Sequence, residues 1–522
     1  MRKYFDFRVF IVFIICLLNL LKLDAQNTSP YAAEWKEIEQ LDSVHNTKSA
    51  LEKVEALLVR VRKDNAANDL VKAIIFKQRF SMRIKEINID SVFKSLIAEE
   101  RAAVFPAKPI LQSLIAAAFA RYADENRWTG RKRTNTKTDK TDFSTLSFDE
   151  LMAFASQYYR QSVSFEASKK EPIQKFDALT EGGNNDEVRP TLYDFLMGRA
   201  LAYFSNESNY LTEPAYKFDL SKPEFFAPAD EFVKLKLTSQ DTSSNKYFAF
   251  RHYQNWLQFH ENDVTTAAYV DADLQRLAFI RANSTLQDNR VLYEKALEDL
   301  RKKYIKSDVF AHISVILARF ILENENFDRK NPDDENRWNR KRAREICIKA
   351  KEKFPNAPDA GNLKNIIREI ELTNVDFETE QVYTPNRAGL ARLTYRNLKT
   401  VHFRIVQLSA KEVESIKEDP NLNKTAFLAK LPTIKRWSLE VPDFGDYSEA
   451  STEFKIESLP IGTYGVLVSD NPAFKNVGLN DLGDVKFGDE FDAATKAKIK
   501  AAIENDEVEE LDEATKNKII KA

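Results

Sequence analysis

Between Tyr31 and about Leu372, apolar residues recur three and four positions apart, and short polar breaks separate one such run from the next. That spacing predicts a succession of amphipathic helices, about a dozen. Leu51, Val54, Leu57, Leu58 and Val61 form one apolar face, and Tyr293, Ala296, Leu297, Leu300 and Tyr304 form another. Start signals support the reading. Ser147 and Glu150 have the spacing of a capping box that opens a helix running to about Ser164, and Pro190 stands at the entrance of a helix over Thr191 to Ser205. A single helix pair cannot cover its own apolar stripe, so successive pairs are expected to stack into a degenerate helical array. The last pair has the clearest pattern: Ala343 to Phe354, then Pro355, then Leu363 to Ile370. A small alanine at 350, a plugging Phe354 and a terminating proline are those of a tetratricopeptide-like unit.

Near Asn374 the period shortens to two, which marks a domain boundary. Val375, Phe377 and Val382 begin the change, and Leu390–Tyr395 and Val401–Leu408 read as strands joined by residues 396–400. Trp437, Leu439 and Val441, then Phe454 and Ile456, then Tyr464, Val466 and Val468 continue the alternation. Turn residues at Pro442–Asp446 and Pro460–Gly462 complete the pattern of a small β-sandwich. The fold class expected is therefore α + β and multidomain, with a helical repeat array over 26–373 and a β-sandwich over 374–477. After Gly478 the sequence turns acidic and simple, and Asp492-Ala493-Ala494-Thr495-Lys496 is echoed by Asp512-Glu513-Ala514-Thr515-Lys516. Residues 478–522 read as a marginally ordered appendage.

The opening residues change the picture of where the chain works. Arg2, Lys3 and Arg8 precede the apolar run Val9–Leu21, and a small Ala25 stands where a signal peptidase would cut. A membrane-spanning anchor is the weaker reading, because Asn19 interrupts the run and Lys22 ends it. A lipid anchor on Cys16 is weaker still, since Ile15 fills the position that wants a small residue. The expected mature chain begins at Gln26, in the periplasm or at the cell surface.

Composition narrows the options further. Only 12 of 522 residues are glycine, which favours helices over turn-rich structure. A net charge of −2 asks for neither nucleic acid nor an acidic membrane. Of 2 cysteines, Cys16 leaves with the leader, so Cys347 has no partner for an internal disulfide and reads as a small buried hydrophobe.

Candidate chemistry is sparse. His45, His252, His260, His312 and His402 are scattered; His252 and His260 are eight apart, but no second pair completes a metal set. Each of that pair is expected to be a hydrogen-bonded interface histidine. HExxH, GxSxG, glycine-rich phosphate loops and CxxC are absent from the sequence. No catalytic, cofactor-binding or metal-binding residue is assigned, and the chain is read as a non-enzyme. Glu125-Asn126-Arg127-Trp128 recurs as Glu335-Asn336-Arg337-Trp338, followed by Arg131-Lys132-Arg133 and Arg340-Lys341-Arg342 respectively. One reading is an anion-binding element; the better one is a tryptophan that closes a helix pair beside a solvated basic helix end. Without further aromatics, residues 127–140 make a poor nucleic-acid surface.

The order of segments carries a resemblance. Tyr31-Ala32-Ala33-Glu34-Trp35-Lys36, Phe105-Pro106-Ala107-Lys108, Lys246-Tyr247-Phe248-Ala249-Phe250-Arg251-His252-Tyr253, Phe354-Pro355 and Gly462-Thr463-Tyr464-Gly465-Val466-Leu467-Val468-Ser469-Asp470-Asn471-Pro472 follow one another. Together they resemble the N-terminal part of the large secreted alpha-2-macroglobulin-like proteins of Bacteroidetes-type bacteria, from about Tyr31 to Lys475. The resemblance implies a protease trap: cleavage of a bait segment rearranges macroglobulin domains, and in many members an internal thioester couples to the protease. It also implies a helical extension followed by a first macroglobulin-like sandwich. The sequence has no Cys-Gly-Glu-Gln type motif, and Cys347-Ile348-Lys349-Ala350 is not one. Trapping is thus expected of a longer form, of which this is the N-terminal portion, and no functional residue carries over. Two other functions stay open: a periplasmic helical-repeat adaptor that binds proteins, and a hydrolase whose site is assembled from distant residues.

Overall fold

A computed structural model describes residues 29–84, 88–130, 142–179, 188–206, 216–241, 244–331, 333–419, 422, 424–472 and 474. Residues 1–28, among them the expected leader and Cys16, the Arg131-Lys132-Arg133 cluster and residues 478–522, read above as an acidic appendage, lie outside the described residues. The described chain is α + β: it is helical up to Glu371 and then forms small antiparallel sheets.

Thirteen longer helices carry that first part: α1 Ala32–Ser43, α2 Thr47–Lys63, α3 Ala67–Ile84, α4 Ile89–Ala102, α5 Ala107–Glu125, α6 Phe148–Ser162, α7 Leu192–Phe204, α8 Asn245–His260, α9 Ala267–Asn283, α10 Asn289–Lys303, α11 Val309–Leu322, α12 Asn339–Lys353 and α13 Ala360–Glu371. From α1 to α10 the main packing partners are helices next to one another in sequence or one apart, such as α2 with α3 and α5 with α6. The 3.6-residue stripes explain this. On α2, Val54, Leu57, Leu58 and Val61 are buried while the intervening polar positions face out. The cap signals also act as expected: the Ser147 side chain accepts from the Glu150 backbone, and the Glu150 carboxylate accepts from the Ser147 N–H at 3.0 Å.

Packing divides the chain into two compact units. Among the described residues, the first holds those up to Phe320 together with Lys349–Leu363; the second holds those of 321–348 and those from Lys364 onward. In the first unit, buried side chains of α1, α2, α3, α5 and α7 make one continuous core, with Leu96 of α4 packed against it. There Trp35 donates to Asp69 (2.7 Å) and meets the edge of Phe76 (5.4 Å).

In the second unit the change of period near Asn374 coincides with the first strand. The strands are β1 Asn374–Thr379, β2 Gly389–Arg396, β3 Thr400–Leu408, β4 Thr433–Glu440, β5 Ala450–Ile456 and β6 Thr463–Ser469. They form two antiparallel sheets, of order β1-β2-β5 and β4-β3-β6. Alternation decides which side chains meet, because every second residue faces inward. Phe377, Leu393 and Phe454 of one sheet share a core with Phe403, Trp437 and Val468 of the other. Phe403 stacks on Trp437 at 4.9 Å and leans on Phe454 at 4.9 Å. The β2–β3 turn needs a left-handed residue, and Asn397 supplies it with φ 56°. Its side-chain amide donates to the carbonyl of Ile370 (2.8 Å), tying the turn to the end of α13. Gly389 is required by a close approach: a Cβ there would lie 2.0 Å from the Tyr383 ring.

One connection departs from the alternating pattern. Between β3 and β4 stand α14 (Ala410–Glu418) and α15 (Lys424–Ala429). A Ser409–Glu412 capping box starts α14, a local signal that the strand period conceals.

Candidate functional site

Three groups of ionisable side chains stand out. In the second unit, the segment between α11 and α12 is fastened to the β4–β5 connection by Asp446, which is 1% exposed. Arg329 grips its carboxylate with two nitrogens (2.9 and 3.3 Å), and Arg337 adds a third contact (3.3 Å). Arg329 also donates to the carbonyls of Ser448 (3.0 Å) and Glu449 (2.8 Å), and its guanidinium stands over the rings of Phe327 (5.1 Å) and Phe444 (4.6 Å). A planar, five-donor cation suits such a fork, which lysine could not reproduce.

This clasp corrects the reading of the repeated tetrapeptide. Trp128 and Trp338 are 77% and 44% exposed, so neither closes a helix pair by burial. The arginines before them make the internal contacts: Arg337 on Asp446, and Arg127 on Asp124 (2.8 Å) and over Phe148 (4.8 Å). Nor is the second basic cluster simply solvated. Arg340 is buried, bridges to Glu325 and donates to the carbonyl of Glu369 (3.3 Å).

The second group belongs to the first unit. Thr191 caps α7, and Asp194, three residues on, returns its carboxylate to the Thr191 N–H (3.0 Å) and hydroxyl (2.7 Å). Asp194 is fully buried, and its other oxygen faces Trp256 Nε1 (2.7 Å) and His260 Nε2 (2.7 Å) of α8. Four residues apart, Trp256 and His260 share one helix face, so α8 meets the start of α7 with two donors at once. His260 Nδ1 meets Asp263 at 2.6 Å. Burial pulls the imidazole pKa down, but the hydrogen bonds and charges of Asp194 and Asp263 outweigh it and leave it raised.

The third group lies on α9, α11 and the turn into α13. His312 Nδ1 pairs with Asp359 (3.0 Å), whose other oxygen accepts from Asn362 (2.8 Å). The Asp359 bond raises the His312 pKa, and the same bond lowers that of Asp359. Nearby Asp271 is raised, by burial first, although Arg189 stands 3.7 Å away and Gln275 donates at 2.6 Å. Buried Arg276 is likewise paired, with Asp273 (2.7 Å) and the Phe225 carbonyl (2.8 Å).

The histidines therefore separate. His260 is a hydrogen-bonded interface residue, as its pattern suggests; His252 is not. Its ring is buried with neither nitrogen hydrogen-bonded, and burial, then Arg160 and Arg251, push its pKa down to about 4. A neutral imidazole against Phe204 (5.3 Å) behaves as an aromatic filler. His45 takes a left-handed turn (φ 59°), and His402 bonds Ser438 across two strands (2.7 Å). Cys347 is buried within α12. Among the described residues, no three His, Cys, Asp or Glu side chains gather closely enough to hold a metal. A cavity of about 40 Å³ among α3, α4 and α5 is lined by Ile74, Val92, Phe93, Leu111 and Ile115. That is well short of the roughly 150 Å³ that accommodates a benzene ring.

Sequence reading missed Asp194 and Asp446 as hubs. The Thr191-x-x-Asp194 spacing was a signal for a cap, but nothing local announced its partners on α8. Set against known proteins, the chain matches no family model, no curated protein and no solved structure.

Proposed function

We propose that this chain is the N-terminal scaffold portion of a secreted alpha-2-macroglobulin-like endopeptidase inhibitor. One observation carries the reading: after the helical part comes an all-antiparallel pair of small sheets over one aromatic core, in the same order in which the sequence segments resemble that family. In this reading β1–β6 form the first macroglobulin-like sandwich, α12 and α13 form a tetratricopeptide-like end of the helical array, and residues 1–25 send the chain to the periplasm or cell surface. It acts by binding proteins and catalyses no reaction, with no part for nucleic acid, metal or cofactor. The clasped and paired charges suit a scaffold: Asp194, Asp446, Arg276 and Arg340 are spent on internal contacts.

The test starts from cells. The native product is isolated with antibodies against the helical part, its mass and N-terminus are read, and it is incubated with a secreted endopeptidase. Support is a product longer than 60.1 kDa, beginning at Gln26, that blocks casein cleavage while sparing hydrolysis of a small peptide ester. Equal cleavage of both substrates overturns the inhibitor reading.

A second reading, a periplasmic protein-binding adaptor, is favoured by the sequential packing of α1 to α10, since arrays of this kind expose extended surfaces. Cross-linking of the full chain in cells separates the two: recovery of endopeptidases supports the inhibitor, and recovery of one non-protease partner supports the adaptor.

A further inference from the structure

The geometry around His260 points to a proton-operated latch on the turn between α8 and α9. Asp194 accepts from the Thr191 backbone N–H, the Thr191 hydroxyl and the indole of Trp256, so it is an acceptor with no proton of its own to give. Asp263, the other neighbour, is likewise a carboxylate. An imidazole between two acceptors can satisfy both only when both ring nitrogens carry hydrogen. His260, with 1% of its side chain exposed, is therefore held as the imidazolium.

The two contacts differ in what happens when that proton leaves for solvent. The Asp194 side chain is fully buried and cannot turn to water, whereas Asp263 is 33% exposed and can. A buried carboxylate that loses its donor is the more costly outcome. The remaining hydrogen accordingly stays on Nε2, facing Asp194, and Nδ1 becomes a lone pair pointing at Asp263. That contact opens, and the turn 261–266 is released while α7 and α8 stay joined. Besides the Asp263 N–H on the His260 carbonyl (3.2 Å), the turn is open to water, with Val264 fully exposed. The charged groups on adjoining elements include Arg189, over Trp256 at 5.8 Å and paired with Asp271, and Lys169, over Phe259 at 5.7 Å and bridged to Glu166 at 2.9 Å. The latch is closed below the usual histidine range and opens as pH rises through the raised value.

The test uses the full chain, labelled with ¹⁵N-histidine, together with hydrogen exchange of the turn between pH 6 and 9, corrected for the intrinsic rate. The expected result is a doubly protonated His260 ring at pH 6 that loses the Nδ1 hydrogen first, while exchange over 261–266 rises about tenfold more than in the middle of α8. Asp263→Asn, at an exposed position, should abolish that extra rise and leave α7 and α8 unchanged. A neutral His260 ring at pH 6, loss of the Nε2 hydrogen first, or a wild-type pH response in the Asn variant would each overturn the latch.

Discussion

Replacing Asp446 with asparagine tests whether the β4–β5 connection is held by charge or by packing alone. The carboxylate is 2% exposed and takes three contacts from Arg329 and Arg337, together with the Ser448 backbone N–H (3.0 Å). Breaking a buried ion pair costs about 3–5 kcal/mol because the remaining charge is stranded. Here the two guanidiniums keep 27% and 25% of their side chains in water, so part of that cost is recovered by solvation. The loss is then about 2–3 kcal/mol, which at 1.4 kcal/mol per decade is roughly 30- to 150-fold in local opening. The assay is amide exchange followed by peptide mass, which reads this connection separately from the rest of the chain. Peptides covering 327–338 and 441–449 should speed up by that factor, and peptides of α1 to α5 should not. Unchanged exchange in 441–449 would refute the argument, and so would an equal rise throughout the first unit. Arg329→Lys should give a smaller effect in the same peptides, since it keeps the charge but loses the fork and the planar contact with the Phe327 and Phe444 rings.

Other expectations follow from the same geometry. His252→Phe removes two buried nitrogens without hydrogen bonds and should stabilise the first unit by about 1–2 kcal/mol; urea unfolding that shows a loss would contradict it. Because the folded His252 pKa is depressed to about 4, wild-type stability should fall by about 3 kcal/mol as pH drops from 6.5 to 4. The phenylalanine variant should lack that decline in thermal melts. The His312–Asp359 pair behaves in the opposite sense on the alkaline side. Its histidine contribution is complete below the usual value and is lost as pH rises through the raised one, while the Asp359 contribution is lost in acid. Thermal melts of His312→Gln across pH 5.5 to 8.5 should be flatter than wild type, and parallel curves would exclude the pair. Phe403→Ala should cost the two-sheet unit about 3–5 kcal/mol, read by exchange in β2 and β5; an effect below 1 kcal/mol would place the core elsewhere.

Much of the architecture was legible along the chain because its causes are local. A 3.6-residue stripe, the Ser147 cap and Pro190 set helix limits, and alternating Phe403, Ile405, Tyr464 and Val466 mark strands whatever lies beyond them. The helices between β3 and β4 were missed because they are only 9 and 6 residues long and bury no side chain fully. The division into units was not legible either, since Ile321–Ile348 reads as helical-array sequence yet packs with the sheets. Charge partners were the least predictable. Asp194 and His260 are 66 residues apart, and Arg329 and Asp446 are 117 apart. Beyond the cap spacing at Asp194, nothing near either aspartate announces its distant partners. Sequence alone determined where the chain is helical and where it is extended, because backbone hydrogen bonding and side-chain period act over a few residues. Only the tertiary structure decided which ionised groups are buried and with whom, because a charge leaves water only where distant segments bring it enough donors.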